Sequence, residues 1–315
     1  MTARSILVYH PEPGEALRYA RLIKQSRPPF SVAVCETPAE AGQHVGDAEV
    51  LYAWNFPREL LRRAKRLRWV QNMGAGVERF LVPELSPRVP VTRVAGIFGP
   101  WMAEYVLGWC LWLSQRTELF RAQQRERRWR QVDPLRLHGA TLTVVGLGDI
   151  GRAIARSARG LGMRVSGVSQ SGRKVSEVGK VYRARDIRQA LSVADFVVLT
   201  VPLTAATRHL IGAPELGAMK PAAWLINIAR GPIVDEAALL DALSAKRIGG
   251  AILDVFDEEP LPPGHPLWGF DNVVITPHIS GPSTPEEIAP IFNDNLRRYL
   301  SRRPLRFQVD RKRGY

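Results

Sequence analysis

Apolar and polar positions alternate along this chain in two successive series. In the first hundred residues, short β-branched and aliphatic runs lie at 5 to 9 (SILVY), 31 to 36 (SVAVCE), 48 to 54 (AEVLYAW), 67 to 73 (LRWVQNM) and 89 to 95 (VPVTRVA). Apolar residues at helical spacing fall between them at 15 to 25 and 57 to 65. Strand, helix, strand order of this kind predicts a parallel sheet covered on both faces. After a loop at 96 to 100, the spacing predicts one long helix over 101 to 121. A second series then predicts strands at 141 to 146, 164 to 169, 195 to 202, 223 to 229, 250 to 256 and 272 to 277, with helices at 150 to 161, 213 to 219 and 235 to 246. The pattern at 285 to 300 is again helical, and no strand is left there for it to serve, so it is expected to pack back on the first unit.

The predicted architecture is therefore α/β, with two Rossmann-like or flavodoxin-like parallel-sheet domains, the first discontinuous in sequence, and an active-site cleft between them. The expected division is 1–98 plus 283–315 for a substrate-binding domain and 99–282 for a dinucleotide-binding domain. A length of 315 residues agrees with two cores rather than one.

Composition changes this picture little. With 45% hydrophobic and 23% charged residues the chain reads as globular throughout. Its two cysteines, Cys35 and Cys110, lie far apart without metal-ligand spacing, so neither a disulfide framework nor a metal site is expected, and a reducing, cytoplasmic setting fits. The apolar stretches at 5 to 9 and 106 to 113 are too short for a bilayer, which needs roughly 20 residues, so no membrane association is expected. The net charge of +14 is unusual and by itself suggests an anionic partner. Its densest run, 121 to 130, and the basic residues Arg311, Lys312 and Arg313 carry no nucleic-acid motif or aromatic platform, so they are read as solvated surface and nucleic acid is not an expected partner.

The strongest single motif is G-x-G-x-x-G at Gly146, Gly148 and Gly151, directly after a predicted strand and opening a predicted helix. The first glycine permits a tight turn, the second lets backbone approach a pyrophosphate, and the third lets helix and strand pack closely. Asp149 and Ile150, inside the turn, are expected to face the cofactor with them, at a helix N-terminus that favours an anion. The next strand ends at Ser169 rather than at the acid that would accept ribose hydroxyls and repel a 2′-phosphate. Ser169, Arg173 and Lys174 supply a hydroxyl and two cations there, which favours NADPH over NADH as cofactor.

Three further segments place a polar residue at or just beyond a strand's carboxyl end, where open α/β sheets bind ligands: Arg230 in NIARG, Glu259 in LDVFDEEP and His278 in ITPHIS. Each alone is ordinary surface chemistry. Together they supply a cation to clamp a carboxylate and polarise the adjoining carbonyl, an acid to protonate the developing alkoxide, and a carboxylate to orient that acid. An imidazole suits the acid's role, since its ordinary pKa is near 6.5 and a neighbouring carboxylate favours the protonated form.

These blocks resemble the D-isomer-specific 2-hydroxyacid dehydrogenases: NMGAGVE at 72 to 78, VVGLGDIGRAIA at 144 to 155, TVPLTAATRHLI at 200 to 211, NIARGPIVDEAAL at 227 to 239, GAILDVFDEEPLP at 250 to 262 and NVVITPHISG at 272 to 281. The resemblance implies that Arg230, Glu259 and His278 are catalytic, and that backbone N–H groups of Ala75 and Gly76 hold the substrate carboxylate opposite Arg230. It also places Val201, Pro202, Thr207, Ile228, Ala229, Asp254 and His278 along the cofactor. The motif AWNFP around Trp54, the LPPGHPLW segment and the basic SQSGRK loop are similar to the glyoxylate/hydroxypyruvate reductase branch, in which Trp54 would cover a small side chain. One departure is Glu78, followed by Arg79, where the family commonly has Asp.

The expected activity is NAD(P)H-dependent reduction of a small 2-oxo acid to the D-2-hydroxy acid, hydride coming from nicotinamide and the proton from His278, by a homodimer that the resemblance implies is built on the cofactor domains. Two alternatives share the fold: an NAD-linked dehydrogenase of a larger or phosphorylated 2-hydroxy acid, and a non-catalytic, dinucleotide-sensing interaction protein.

Overall fold

A computed structural model describes residues 4–25 and 29–315. The chain divides into two compact units, Met1–Ile97 with Ser283–Tyr315, and Phe98–Pro282. In the first, β1 (Ser5–Tyr9), α1 (Glu15–Gln25), β2 (Ser31–Cys35), α2 (Pro38–His44), β3 (Val50–Ala53), β4 (Trp69–Asn72) and β5 (Val91–Thr92) follow one another. The strands form an all-parallel sheet of order β2-β1-β3-β4-β5. Its central strands β3 and β4 are buried at every position, as expected when both faces of a parallel sheet are covered.

The segment predicted as a helix over 57 to 65 is a short 3₁₀ helix, Arg58–Arg63, whose entry is fixed by Pro57. Helix α2 is not among the predicted elements, although Thr37 and Glu40 form a reciprocal capping box around Pro38, a signal legible in the letters TPAE.

The second unit contains α3 (Phe98–Ser114), α4 (Thr117–Arg125), β6 (Thr141–Val145), α5 (Asp149–Gly160), β7 (Arg164–Ser169), β8 (Lys180–Arg183), α6 (Ile187–Leu191), β9 (Phe196–Leu199), α7 (Ala213–Ala218), β10 (Trp224–Asn227), α8 (Glu236–Ser244), β11 (Gly250–Leu253) and β12 (Val273–Ile275). Its sheet is parallel throughout, in the order β12-β11-β10-β9-β6-β7-β8. Strand order reverses between β6 and β9, the topological switch point of a doubly wound sheet. A core of aliphatic residues from β6, β9, β10 and β11, including Val145, Val197, Leu199, Leu225 and Ala251, packs beneath α6, α7 and α8.

The single helix predicted over 101 to 121 is in fact two: the chain breaks at Arg116, whose φ of 51° is left-handed and ends the helical hydrogen bonding. Trp109, Trp112 and Leu113 on α3 are half-buried, and the two tryptophans meet edge to face with ring centroids 5.7 Å apart.

After the second unit the chain returns to the first as α9 (Pro285–Leu300), capped by Thr284 and Glu287. Phe292 of α9 stacks on Tyr52 of β3 and Trp69 of β4, with centroids 4.2 and 5.2 Å apart. Asn295, wholly buried, donates to Gln71 Oε1 and to the Arg306 carbonyl, and accepts from the Arg306 N–H, so the returning segment is stapled to the sheet's edge region. Gln308 then bridges to Thr92 beside β5.

Candidate active site

In the second unit the glycine turn lies between β6 and α5, at the switch point. Gly146 has φ +105°, and a Cβ there would lie 2.9 Å from Thr200 Oγ1 and from Val201 Cγ1. At Gly151 a Cβ would lie 2.0 Å from the Gly146 carbonyl oxygen, so only glycine lets α5 start this close to the turn. Gly148, the residue that caps α5, has nothing within 4 Å of that position and is exposed. This is the open cradle that a pyrophosphate requires, with Ile150 and the rest of the first turn of α5 behind it. Thr200 Oγ1 donates to the Gly146 carbonyl at 2.7 Å, while Thr207 Oγ1 donates to the Pro202 carbonyl at 2.6 Å and curls the loop after β9. The geometry of this unit therefore brings Gly146, Val201 and the start of α5 together.

At the end of β7, Ser169 Oγ accepts the Gly172 N–H at 3.1 Å and Ser171 Oγ accepts the Arg173 N–H at 3.3 Å. The side chains of Arg173 and Lys174 are exposed and make no ion pair among the described residues. The residues present thus fit a dinucleotide, and one that carries a phosphate near Ser169.

The three candidate catalytic residues follow β10, β11 and β12, which are neighbours in the sheet. Beyond β10, buried Asn227 accepts the Ala229 N–H and donates to the Arg230 carbonyl, fixing the turn that carries Arg230. A Cβ at Gly231 would lie 2.1 Å from the carbonyl carbon of Phe256, so this turn presses against the segment leading to Glu259. Arg230 Nη1 donates to the Ala229 carbonyl. Glu259 Oε1 accepts the Phe256 N–H at 3.0 Å, and Oε2 lies 2.8 Å from His278 Nδ1.

Burial pushes the Glu259 carboxyl up, but hydrogen bonds from His278 and the Phe256 N–H, with the charges of His278 and Arg230, outweigh it and hold the group below its ordinary range. An ionised Glu259 only accepts, so Nδ1 carries the hydrogen toward it and Nε2 is the ring atom left for a substrate. His278 itself has φ 56°, unusual for a residue other than glycine, and its N–H donates to the Asp254 carbonyl.

Asp254, expected near the cofactor, is completely buried and anchors a loop. Its carboxylate accepts Thr276 Oγ1 at 2.6 Å and the N–H groups of Ile279 and Ser280 at 2.8 and 2.9 Å. Tyr105 OH lies 2.6 Å from Thr276 Oγ1. Asp254, Thr276 and Tyr105 thus hold the loop that presents His278. Thr276 lies two residues before that histidine in the sequence, whereas nothing in the letters around Tyr105 signals its role.

The first unit carries the other candidate residues. Asn72, at the end of β4, donates its side-chain amide to the carbonyls of Gly74 and Gly76, turning these oxygens inward. The N–H groups of Ala75 and Gly76 have no acceptor among the described residues. Trp54 lies over the same loop: a Cβ at Gly74 would meet its ring at 2.2 Å. The unit therefore brings Trp54 against the loop of Ala75 and Gly76, a pair of unused amides beside an indole.

Among the described residues no helix is long and apolar enough to cross a membrane, and no group of three or more His, Cys, Asp or Glu side chains is placed to hold a metal ion.

Comparison with known proteins agrees with this geometry. Residues 107–280 match the family model described as D-isomer specific 2-hydroxyacid dehydrogenase, NAD binding domain. The chain is 30% identical over 318 residues to glyoxylate/hydroxypyruvate reductase A of Photorhabdus laumondii, covering 98% of this chain and 99% of that protein. It is 33% identical over 288 residues to D-3-phosphoglycerate dehydrogenase of Methanocaldococcus jannaschii, where the match takes in 89% of this chain but spans only about half, 54%, of that protein. A crystal structure of an NADPH-dependent glyoxylate/hydroxypyruvate reductase from Sinorhizobium meliloti, in complex with NADP and sulfate, superposes with a TM-score of 0.89 at 28% identity, covering 99% of this chain and 100% of that one. With a family model matching more than half its length and a relative aligned end to end, the chain belongs to the D-isomer specific 2-hydroxyacid dehydrogenase family.

Proposed function

We propose that this protein reduces a small 2-oxo acid, of glyoxylate or hydroxypyruvate size, to the D-2-hydroxy acid with NADPH as the preferred cofactor. The observation that carries this reading is the contact of 2.8 Å between His278 Nδ1 and Glu259 Oε2, beside the Arg230 turn at the carboxyl ends of three adjacent strands. The cofactor, when bound on Gly146, Gly148, Asp149, Ile150 and Gly151, supplies the hydride to the substrate's C2. His278 Nε2 gives the proton to the carbonyl oxygen, Glu259 holds the ring in the tautomer that allows this, and Arg230 clamps the carboxylate and polarises the carbonyl. Val201, Pro202, Thr207, Ile228, Ala229 and Asp254 line the cofactor's path in this reading, and Ser169, Arg173 and Lys174 receive its 2′-phosphate. The first unit is assigned to substrate binding: the free amides of Ala75 and Gly76 take the carboxylate, and Trp54 limits the size of the side chain. The names of the Photorhabdus and Sinorhizobium relatives support the substrate and cofactor classes.

Initial rates with NADPH and NADH on glyoxylate, hydroxypyruvate, pyruvate and phenylpyruvate test the proposal. The highest kcat/KM is expected with NADPH and one of the first two substrates. His278→Ala is expected to lower kcat by about 10²- to 10⁴-fold with little change in KM, and Arg230→Ala to damage both. A His278→Ala protein as active as its parent would remove the acid assignment. The similarity to a phosphoglycerate dehydrogenase favours a second reading, an NAD-linked dehydrogenase of a larger or phosphorylated 2-hydroxy acid; preference for NADH and for such an acid in the same assay would establish it.

The reading extends to a cytoplasmic homodimer. The buried free thiols Cys35 and Cys110 suit a reducing compartment. Trp101, Leu111, Phe120 and Trp129 of the second unit are exposed, Trp129 at 97%, large apolar side chains of the kind a second copy covers. Light scattering behind a sizing column should give twice the chain mass of 35.2 kDa.

A further inference from the structure

The end of β7 holds more positive charge than the two loop cations account for. Strand β8 runs beside β7 with Ser169 paired to Arg183, so both side chains leave their strands at the same level. The loop between them turns at Gly172, whose φ of +67° is left-handed. A Cβ at Gly172 would lie 2.6 Å from Arg183 Cγ and 3.5 Å from its Nε. The arginine stem therefore crosses the loop at its tip, next to Arg173, in space that only a glycine leaves free. The Arg183 side chain is exposed and makes no ion pair or hydrogen bond among the described residues.

The acids nearest in the chain are already engaged. Glu177 is gripped by Arg152 at 2.8 Å and Arg156 at 3.1 Å, and Asp186 lies 3.8 Å from Arg185. Lys180, the other cation of β8, lies over the Tyr182 ring. Three cations, Arg173, Lys174 and Arg183, are thus left unneutralised around two serine hydroxyls whose oxygens accept from backbone and whose protons have no acceptor among the described residues. A dianionic phosphate monoester completes such a set. An arginine, with its planar fork of donors, can hold two phosphate oxygens at once where a lysine holds one.

We propose that Arg183 is a third arm of the clamp on the cofactor's adenosine 2′-phosphate and a determinant of NADPH over NADH. The proposal rests on the NADPH reading above and adds to it a residue from a separate strand. Direct binding of NADPH and of NADH, followed by calorimetry or by nicotinamide fluorescence without substrate, tests it in Arg183→Gln, Arg183→Lys and, as a charge-matched control, Arg185→Gln. Arg183→Gln should raise the Kd for NADPH by about tenfold and leave that for NADH within about twofold. Arg183→Lys should fall between Arg183→Gln and the parent, and Arg185→Gln should match the parent. The assignment of Arg183 is overturned if a parent that prefers NADPH is matched by Arg183→Gln, if both cofactors weaken equally, or if Arg185→Gln loses as much. A parent that binds the two cofactors alike overturns the NADPH reading itself, and the clamp with it.

Discussion

At the scale of single residues, two buried polar groups have opposite expectations. Asp254 satisfies three donors at once, and both of its oxygens are used. An asparagine offers one acceptor and turns an NH₂ against a backbone N–H. Asp254→Asn should therefore lose about 1–3 kcal/mol of stability in urea titration. Because it positions His278 through the loop, it should also lower kcat more than it raises KM. Tyr52 has the reverse situation: its hydroxyl is wholly buried and has no hydrogen-bond partner among the described residues. Removing the oxygen leaves the stack on Phe292 intact, so Tyr52→Phe should keep its stability or gain about 1 kcal/mol. A loss instead would mean that a buried water serves the hydroxyl.

At the scale of elements, the three glycines of the β6–α5 turn separate folding from binding. Gly151→Ala forces a methyl group into the Gly146 carbonyl and should destabilise the apo protein by about 1–3 kcal/mol. Gly148→Ala has open space and φ −77°, which any residue adopts, so the apo protein should hold its stability or gain about 0.4–1 kcal/mol. The same methyl group fills the anion's approach, and the dissociation constant for the dinucleotide should rise at least about tenfold. Thermal melts with and without cofactor distinguish the two. Both sheets were legible because buried parallel strands are continuous apolar runs, and the α5 turn because its glycines have one physical explanation each. Less was legible where a local backbone state decided the outcome. The break between α3 and α4 depends on a left-handed Arg116, which no periodicity announces. Strand β8 reads KVYR, with two of four residues charged, because it is an edge strand with little to bury. Of the site, the residues that could touch a ligand were visible in the motifs themselves. Asn227 and Asn72 stand inside those motifs, but no letter signals that their side-chain amides bond carbonyls two to four residues on, and Tyr105 acts on Thr276, far away in sequence.

At the scale of the whole molecule, the excess of basic residues has a consequence in acid. Each unit contains a carboxylate shared by two arginines: Glu84 by Arg58 and Arg62, and Glu177 by Arg152 and Arg156. Hydrogen bonds from Arg58 and from Arg152 hold these carboxyls down at about 2, against an ordinary value of 4.5. A depressed pKa means a contribution present above the unfolded value and lost as pH falls through the folded one. Glu177→Gln and Glu84→Gln should thus be less stable than the parent near neutrality, with the difference in denaturation midpoint shrinking between 4.5 and about 2. A gap that stays constant over this range would show that the arginines do not favour the charged form. The return of α9 sets an order of events as well. On a ribosome the strands that carry Tyr52 and Trp69 emerge without their partner on α9, and the Phe292 ring that stacks on both follows only after the entire dinucleotide unit has been translated. The inserted unit, contiguous in the chain, can complete its core within that interval, so the sheet translated ahead of it matures after it.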